Sequence, residues 1–293
     1  MCARARSKGT AAVATASALD TGHAGVIERY WHLLDHPFRL TPDPSFVYET
    51  DQYREAMARL LYNIVELRGG LSVVTGASGT GKSTLARGLS LTLGSAPYRI
   101  ALFVNPMMPV AQLLGTILQE LGIAAPPRRK ADLLDEFAAL LIASDRKGVE
   151  PVIILDEANS LKRGHLEELR LLLNVEADSR KLFHLVLLGL PELDLKIQRI
   201  PSLEQRITMR ARLGSLSAQQ SARYISHRLQ LAGADPGVFT RRALERVALL
   251  AAGVPRRINL LAGSALYVAA RQGVKTITPA IVDLAHADLE PEV

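Results

Sequence analysis

Short apolar segments alternate with longer segments of helical periodicity through the first two thirds of the chain. The apolar segments are residues 71–75, 100–104, 152–155 and 183–188. None of them alternates between apolar and polar residues, so each is predicted to be a strand buried on both faces, as in a parallel sheet. The helical segments are residues 55–67, 83–93, 110–121, 130–143 and 164–174. Strands that alternate with helices in this way predict a layered α/β domain.

Beyond residue 214 the predicted strands end and only helical segments follow. Each segment opens at a residue that can cap or start a helix. The predicted starts are Ser217 with Gln220 as a capping box, Thr240, Arg256, and Thr278 followed by Pro279. We therefore predict an α/β domain over residues 29–213 and a small all-helical domain over residues 214–293.

The N-terminal region changes character near residue 29. Residues 1–28 are rich in Ala, Ser, Thr and Gly and have no apolar period, which predicts a flexible tail. Aromatic residues and prolines are then interleaved from residue 30 to residue 46, and Trp31, Phe38 and Phe46 stand out. This segment, here called the arm, is predicted to be ordered but irregular and to pack through its aromatic side chains.

Composition places the chain among globular proteins, with 48% hydrophobic and 22% charged residues in 293. The single cysteine, Cys2, excludes an intrachain disulfide and favours a reducing compartment, so we expect a cytoplasmic location. The longest uncharged run, residues 100–119, contains prolines, Asn and Gln, which a bilayer-spanning helix tolerates poorly. We predict no integral membrane segment.

Positive charge is concentrated in one part of the chain. Residues 199–275 hold thirteen Lys and Arg against three acidic residues, a net charge of +10, whereas the whole chain carries +6. This excess indicates an anionic ligand or partner for that segment.

A glycine-rich segment between the first predicted strand and the next helix fits the pattern G-x-x-x-x-G-K-[ST]. It comprises Gly76, Ala77, Ser78, Gly79, Thr80, Gly81, Lys82 and Ser83, with Thr84 next in the helix. Such a phosphate loop curls backbone N–H groups around phosphate oxygens at a helix N-terminus. Lys82 is predicted to reach the β- and γ-phosphates of ATP, and Ser83 to ligate Mg²⁺.

Two acidic residues, Asp156 and Glu157, directly follow the third predicted strand. Carboxylates at the end of a buried strand are costly unless a cation or a reaction needs them. Asp156 is predicted to hold the Mg²⁺ through water, and Glu157 to polarise the attacking water in phosphoryl transfer. The alternative is a helix-capping pair, which the preceding phosphate loop disfavours.

Two arginines, Arg206 after the fourth strand and Arg256 at the start of the third helix of the helical domain, are further candidates. A guanidinium near a γ-phosphate stabilises transition-state charge. Isolated arginines more often form surface ion pairs, and the residue pattern alone leaves both interpretations open.

Several separated motifs together resemble the AAA+ ATPase domain of the ExeA/GspA-type general secretion ATPases, over residues 30–288. They are 37–44 (PFRLTPDP), the phosphate loop, 156–158 (DEA), 169–172 (LRLL), 188–193 (LGLPEL), 205–207 (QRI) and 253–259 (GVPRRIN). The resemblance implies a P-loop α/β fold with a helical lid. It also implies that Arg206 is an arginine finger acting on a neighbour's nucleotide, that Arg256 is the sensor arginine of the lid, and that residues 30–44 close over the base. A finger acting in trans implies assembly into a ring or filament.

Two residues depart from the family pattern, since Leu190 and Asn159 stand where Gln is usual. A polar group at the end of the fourth strand helps to position the attacking water, so its absence predicts slow hydrolysis. Family members also continue into a membrane helix and a peptidoglycan-binding region, and we expect this chain to act without them.

The expected function is an ATPase that energises or regulates an envelope secretion or assembly system, with proteins of that system as partners. Two alternatives stay open. One is a DNA-binding AAA+ regulator of the transposition type, and the other is an ATP-gated switch with little turnover.

Overall fold

The computed structural model describes residues 25–41, 43–94, 97–177 and 180–289. Residues 1–24 of the predicted flexible tail, which was predicted to span residues 1–28, lie outside the described residues. Helix α1 (Val26–Trp31) begins three residues inside the range predicted as tail.

Helices and strands alternate between residue 51 and residue 213. The helices are α2 (Asp51–Leu61), α3 (Lys82–Thr92), α4 (Val110–Glu120), α5 (Lys130–Arg146), α6 (Arg163–Leu172), α7 (Glu192–Gln198) and α8 (Pro201–Glu204). The strands are β1 (Leu71–Gly76), β2 (Tyr98–Phe103), β3 (Glu150–Leu155), β4 (Glu176–Ala177), β5 (Arg180–Lys181), β6 (His184–Gly189) and β7 (Ile207–Leu213). A π-helical turn, Tyr62–Glu66, extends α2.

Five of the strands form one parallel sheet in the order β2-β3-β6-β1-β7, and β4 pairs with β5 in a separate antiparallel ribbon. The prediction of an α/β domain with a parallel sheet is confirmed. Strand β7 was not predicted from the sequence, because this edge strand alternates exposed residues such as Arg210 with buried residues such as Met209. The prediction of burial on both faces was wrong for β2, the other edge strand, which is followed by the exposed Val104.

Apolar side chains cover both faces of the sheet. Leu71 and Val73 of β1 point into one core with α4, α5 and α6, whereas Val74 points into the other core with α2 and α3. The central strands β3, β6 and β1 are therefore buried between two layers of helices. Their carboxyl ends open at the same edge of the sheet, where the phosphate loop leaves β1 and the two acidic residues follow β3.

The C-terminal part of the chain forms the helical lid. Its helices are α9 (Ala218–Leu231), α10 (Arg241–Leu250), α11 (Pro255–Gln272) and α12 (Pro279–Ala287). Ser217 and Gln220 form the predicted capping box, and the Thr240 hydroxyl accepts the Ala243 N–H at 3.2 Å. Sequence signals at helix starts were thus reliable in this region.

The aromatic residues of the arm pack into the lid. Trp31 and Phe38 are buried in the same core as Ile225, Ile258 and Leu266. The Trp31 indole N–H donates to the carbonyl of Leu266 at 3.1 Å. The arm lies within residues 29–213, which were predicted as the α/β domain, yet its aromatic side chains complete the core of the helical domain.

None of the helices in the described ranges combines the length and the apolar character that crossing a bilayer requires.

Candidate active site

The phosphate loop runs from the end of β1 to the first turn of α3. Gly79 and Gly81 adopt left-handed backbone conformations, with φ of 79° and 101°, and so turn successive N–H groups toward one side. Gly81 is also the N-cap of α3 and provides no side-chain cap. The first-turn N–H groups of the helix are consequently available to an anion.

Lys82 lies folded over this loop. Its side chain is buried, and Nζ donates to the carbonyls of Gly76 at 2.9 Å and Ala77 at 3.0 Å. Burial lowers the pKa of the Lys82 ammonium, while the carboxylates of Glu157, Asp156 and Glu192 act in the opposite direction. A buried cation bonded to neutral carbonyls can exchange these partners for phosphate oxygens.

The Ser83 hydroxyl and the Asp156 carboxylate meet at this end of the sheet. Ser83 Oγ donates to Asp156 Oδ2 at 2.5 Å, and the Glu157 N–H donates to Asp156 Oδ1 at 2.9 Å. Asp156 is 1% exposed, so its negative charge lies within the protein next to a hydroxyl. Oxygen ligands of these two kinds fit Mg²⁺, whose charge would offset the cost of burying the carboxylate.

Glu157 has a backbone conformation that is unusual for a residue with a side chain, with φ 54° and ψ 33°. Backbone strain of this kind is often found at functional sites. The Glu157 side chain is exposed and lines the cleft next to the phosphate loop. It is open to the cleft, whereas the Asp156 side chain is buried and bonded to Ser83.

A cleft of about 320 Å³ separates the α/β domain from the lid. Its lining includes the phosphate loop from Ser78 to Thr84, Glu157, residues of the arm and residues of the lid. The lid contributes Tyr224, Arg228, Arg256 and Asn259.

Arg256 joins the lid to the phosphate loop. Its backbone N–H donates to the carbonyl of Gly79 at 3.3 Å, and a Cβ added to Gly79 would lie 2.7 Å from the Cβ of Arg256. The exposed Arg256 side chain belongs to the cleft lining. Any movement of α11 therefore changes the contact between Arg256 and the phosphate loop.

Arg206 does not line this cleft. Its guanidinium donates to the carbonyl of Ser202 at 2.6 Å and to the side-chain oxygen of Asn174 at 2.5 Å. The structure thus separates Arg206 from the other candidate residues of its own chain.

The family comparison agrees with this geometry. A family described as an AAA domain matches residues 65–197, which contain the phosphate loop, Asp156 and Glu157. The fold is similar to the crystal structure of Cdc6p from Pyrobaculum aerophilum, with a TM-score of 0.69 and 18% identity over 89% of this chain and 73% of that chain. The chain is an AAA+ P-loop protein.

Two curated proteins are related to this AAA+ protein in sequence. General secretion pathway protein A of Aeromonas hydrophila is 36% identical over 260 residues, which are 88% of this chain and 47% of that protein. The Mu-like prophage FluMu DNA transposition protein B of Haemophilus influenzae is 32% identical over 135 residues, which are 44% of this chain and 42% of that protein. The resemblance to the general secretion ATPase family is confirmed, and the chain spans about half the length of the curated relatives that it matches.

The two departures from the family pattern are in direct contact. The Leu190 N–H donates to the side-chain oxygen of Asn159 at 2.9 Å, and Lys196 Nζ donates to the Asn159 carbonyl at 2.5 Å. The Asn159 amide thus lies against the carboxyl end of β6. Among the described residues, neither Asn159 nor Leu190 is part of the cleft lining.

Sequence reasoning missed the lid residues Tyr224, Arg228 and Asn259. Asn259 belongs to the family motif at residues 253–259, but the motif predicted no separate role for this residue. Tyr224 and Arg228 are spaced four residues apart on α9, as core residues commonly are, so the pattern provided no separate signal for them.

Proposed function

We propose that this AAA+ protein binds ATP together with Mg²⁺ and hydrolyses ATP to ADP and phosphate. The observation that carries the proposal is the contact between Ser83 Oγ and Asp156 Oδ2 at 2.5 Å. It joins a phosphate-binding loop to a buried carboxylate at the same end of the sheet, with Glu157 exposed to the same cleft.

Each residue has a separate task in this proposal. The N–H groups at the start of α3 and the Lys82 ammonium neutralise phosphate charge. Ser83 and Asp156 would hold Mg²⁺, which supplies charge neutralisation at the transferred phosphoryl group. Glu157 orients the attacking water and accepts its proton, and Arg256 adds positive charge from the lid.

Matched variants test the chemistry. Lys82→Ala should weaken ATP binding, because it removes a cation from the phosphate loop. Glu157→Gln should bind ATP as the wild type does and lose turnover, because only water activation is removed. Glu120→Gln, an exposed change of the same type at the end of α4, should do neither. Wild-type turnover in Glu157→Gln would refute the role of Glu157.

We also propose that several copies assemble, so that Arg206 of one copy completes the cleft of the next. The support is the position of Arg206 outside its own cleft, where Ser202 and Asn174 hold its guanidinium. Arg206 would then act on ATP only across an interface between copies.

The cellular role that we propose is to energise or regulate an envelope secretion or assembly system. It is supported by 36% identity to general secretion pathway protein A over 88% of this chain. Co-purification with components of such a system, dependent on ATP and lost in Lys82→Ala, would support it.

DNA binding is a second candidate, favoured by the net +10 of residues 199–275 and by the similarity to a transposition protein. Several of these basic residues already have partners within the chain. Arg210 pairs with Asp194, Arg241 with Glu245, and Arg246 with Asp283.

Binding to a DNA duplex across a salt series, with ATP, ADP or no nucleotide, distinguishes the two candidates. Tight ATP-dependent binding that falls steeply with salt would favour the DNA-binding role, because neutralised phosphates release counterions. Weak binding with the same affinity in ATP, in ADP and without nucleotide would favour the secretion role.

A further inference from the structure

Arg228, on helix α9 of the lid, has surroundings that are uncommon for a charged residue. Its side chain is 7% exposed, and its guanidinium lies 5.1 Å from the ring centre of Phe46 and 5.5 Å from that of Tyr224. In the described part of the chain its hydrogen-bond partners are all uncharged. The Asp43 carboxylate on the arm acts on this cation only at longer range. A buried cation without a hydrogen-bonded carboxylate is costly, so a structural or functional reason for it is expected.

The partners of Arg228 show what it holds. Nε donates to the carbonyl of Pro37 at 2.5 Å, and Nη1 donates to the carbonyl of Phe46 at 3.3 Å. These carbonyls lie nine residues apart on the arm, on either side of the cleft-lining residues Arg39, Leu40, Thr41 and Asp43. One planar guanidinium therefore pins the arm to α9 at two places.

Neighbouring lid side chains extend this attachment. The Tyr224 hydroxyl accepts from Arg228 Nη1 at 3.1 Å and donates to Asn259 Oδ1 at 2.8 Å. Asn259 Nδ2 in turn donates to the carbonyl of Arg39 at 3.3 Å. Burial raises the pKa of the Tyr224 hydroxyl, which keeps its proton for the bond to Asn259.

The attached segment forms a wall of the cleft that also contains the phosphate loop. Lid residues complete this wall, and the lining includes Arg39, Phe46, Tyr224, Arg228 and Asn259. If the loop holds the phosphates, the ribose and the base must lie against this wall. The described residues of the arm between α1 and the short turn Pro44–Phe46 form no helix or strand, so buried aromatic side chains and bonds to lid residues hold them in place, and Arg228 provides such bonds at two carbonyls.

We propose that Arg228 is a positioning residue for the nucleoside part of the bound nucleotide. It fixes the arm as the wall against which the ribose and base pack, and it leaves phosphate binding to the loop. This inference rests on the proposed binding of ATP in the cleft.

The test compares nucleotide with a ligand that has phosphates and no nucleoside. Arg228→Met keeps much of the side-chain volume and removes the charge and the hydrogen bonds. It should weaken Mg·ADP binding by about 10- to 100-fold, the range expected for lost hydrogen bonds to a charged group. Binding of Mg·tripolyphosphate, measured by calorimetry, should stay within about twofold of wild type, since that ligand needs only the loop. Arg223→Ala, which removes an exposed arginine from the same helix, is the matched control and should change neither affinity.

Two results would overturn the proposal. The first is wild-type ADP affinity in Arg228→Met, and the second is an equal loss for ADP and tripolyphosphate, which would place the effect at the phosphate end or in the fold.

A milder variant and a second measurement cover the case in which Arg228→Met does not fold. Tyr224→Phe removes only the hydroxyl between Arg228 and Asn259, and it should weaken ADP binding in the same selective way by a few-fold. Hydrogen exchange of the amides of arm residues 38–41 and 45–46 without nucleotide should be faster in either variant than in the wild type. Unchanged exchange in a folded variant would overturn the proposal. Because exchange needs no nucleotide, it tests the anchoring of the arm even if the wild type fails to bind ADP, a result that would count against the proposed function alone.

Discussion

Gly253 lies where the lid meets the segment that connects it to the sheet. Its φ is 68°, in the left-handed region, and a Cβ added there would lie 2.0 Å from the carbonyl oxygen of Leu216. The carbonyl of Gly253 also accepts the Leu216 N–H at 2.8 Å, so the two backbones are held close together. Gly253→Ala should therefore force this contact apart.

The size of the effect follows from two contributions. A left-handed conformation costs a residue with a Cβ about 1–2 kcal/mol. Overlap with a fixed backbone atom adds about 1–3 kcal/mol, as overpacking does elsewhere. We expect Gly253→Ala to lower the free energy of unfolding by about 2–5 kcal/mol, a large share of the about 5–15 kcal/mol typical of a folded domain.

Gly273 provides a control that separates these contributions. Its φ is also 68°, but a Cβ added there would have no atom within 4 Å. Gly273→Ala should show only the conformational cost of about 1–2 kcal/mol. Urea unfolding followed by the fluorescence of Trp31, the single tryptophan and part of the lid core, measures both variants. Equal destabilisation of the two variants would refute the close approach of Gly253 to Leu216.

Two further predictions concern assembly and pH. Mixing Arg206→Ala with Glu157→Gln subunits should restore part of the ATPase activity that each variant lacks alone, since some interfaces combine an intact Glu157 with an intact Arg206. Activity per subunit that is independent of concentration, in a protein that stays monomeric with ATP, would contradict this. Burial lowers the pKa of His36, whose Nδ1 accepts the Phe38 N–H at 3.1 Å. As the pH falls, the unfolded chain therefore binds a proton at this residue before the folded protein does. The free energy of unfolding should decrease as the pH drops below about 6.5. His36→Gln should reduce the difference between urea midpoints at pH 7 and pH 5.5, and an unchanged difference would argue against this role.

Local signals in the sequence predicted much of the fold. The phosphate loop, the capping box at Ser217 and the proline at position 279 act over a few residues, and the structure has a helix start at each of them. Asp156 could be named as a candidate Mg²⁺ ligand because it directly follows a buried strand. Each of these signals depends on neighbours in the chain, which a sequence displays directly.

Features that depend on distant residues were not predictable in this way. Strand β7 is ordered by pairing with β1, which lies more than 130 residues earlier, and its two arginines leave it without the continuous apolar run by which the other strands were predicted. The local periodicity of the sequence does not predict the packing of Trp31 on Leu266 or the bonds from Arg228 to the arm. The contact between Asn159 and Leu190 likewise became visible only when the ends of β3 and β6 were placed side by side.

The packing of the arm into the lid core affects how the protein is made. Trp31 and its carbonyl partner on Leu266 are separated by 235 residues. At a translation rate of about 5–20 residues per second, the ribosome needs roughly 10–50 s to synthesise the second after the first. The strands of the sheet can pair during that time, whereas Trp31, Phe38 and Phe46 have no lid helices to pack against. The nascent chain therefore carries an exposed aromatic segment until the lid helices have been synthesised, and a chaperone has that interval in which to bind it.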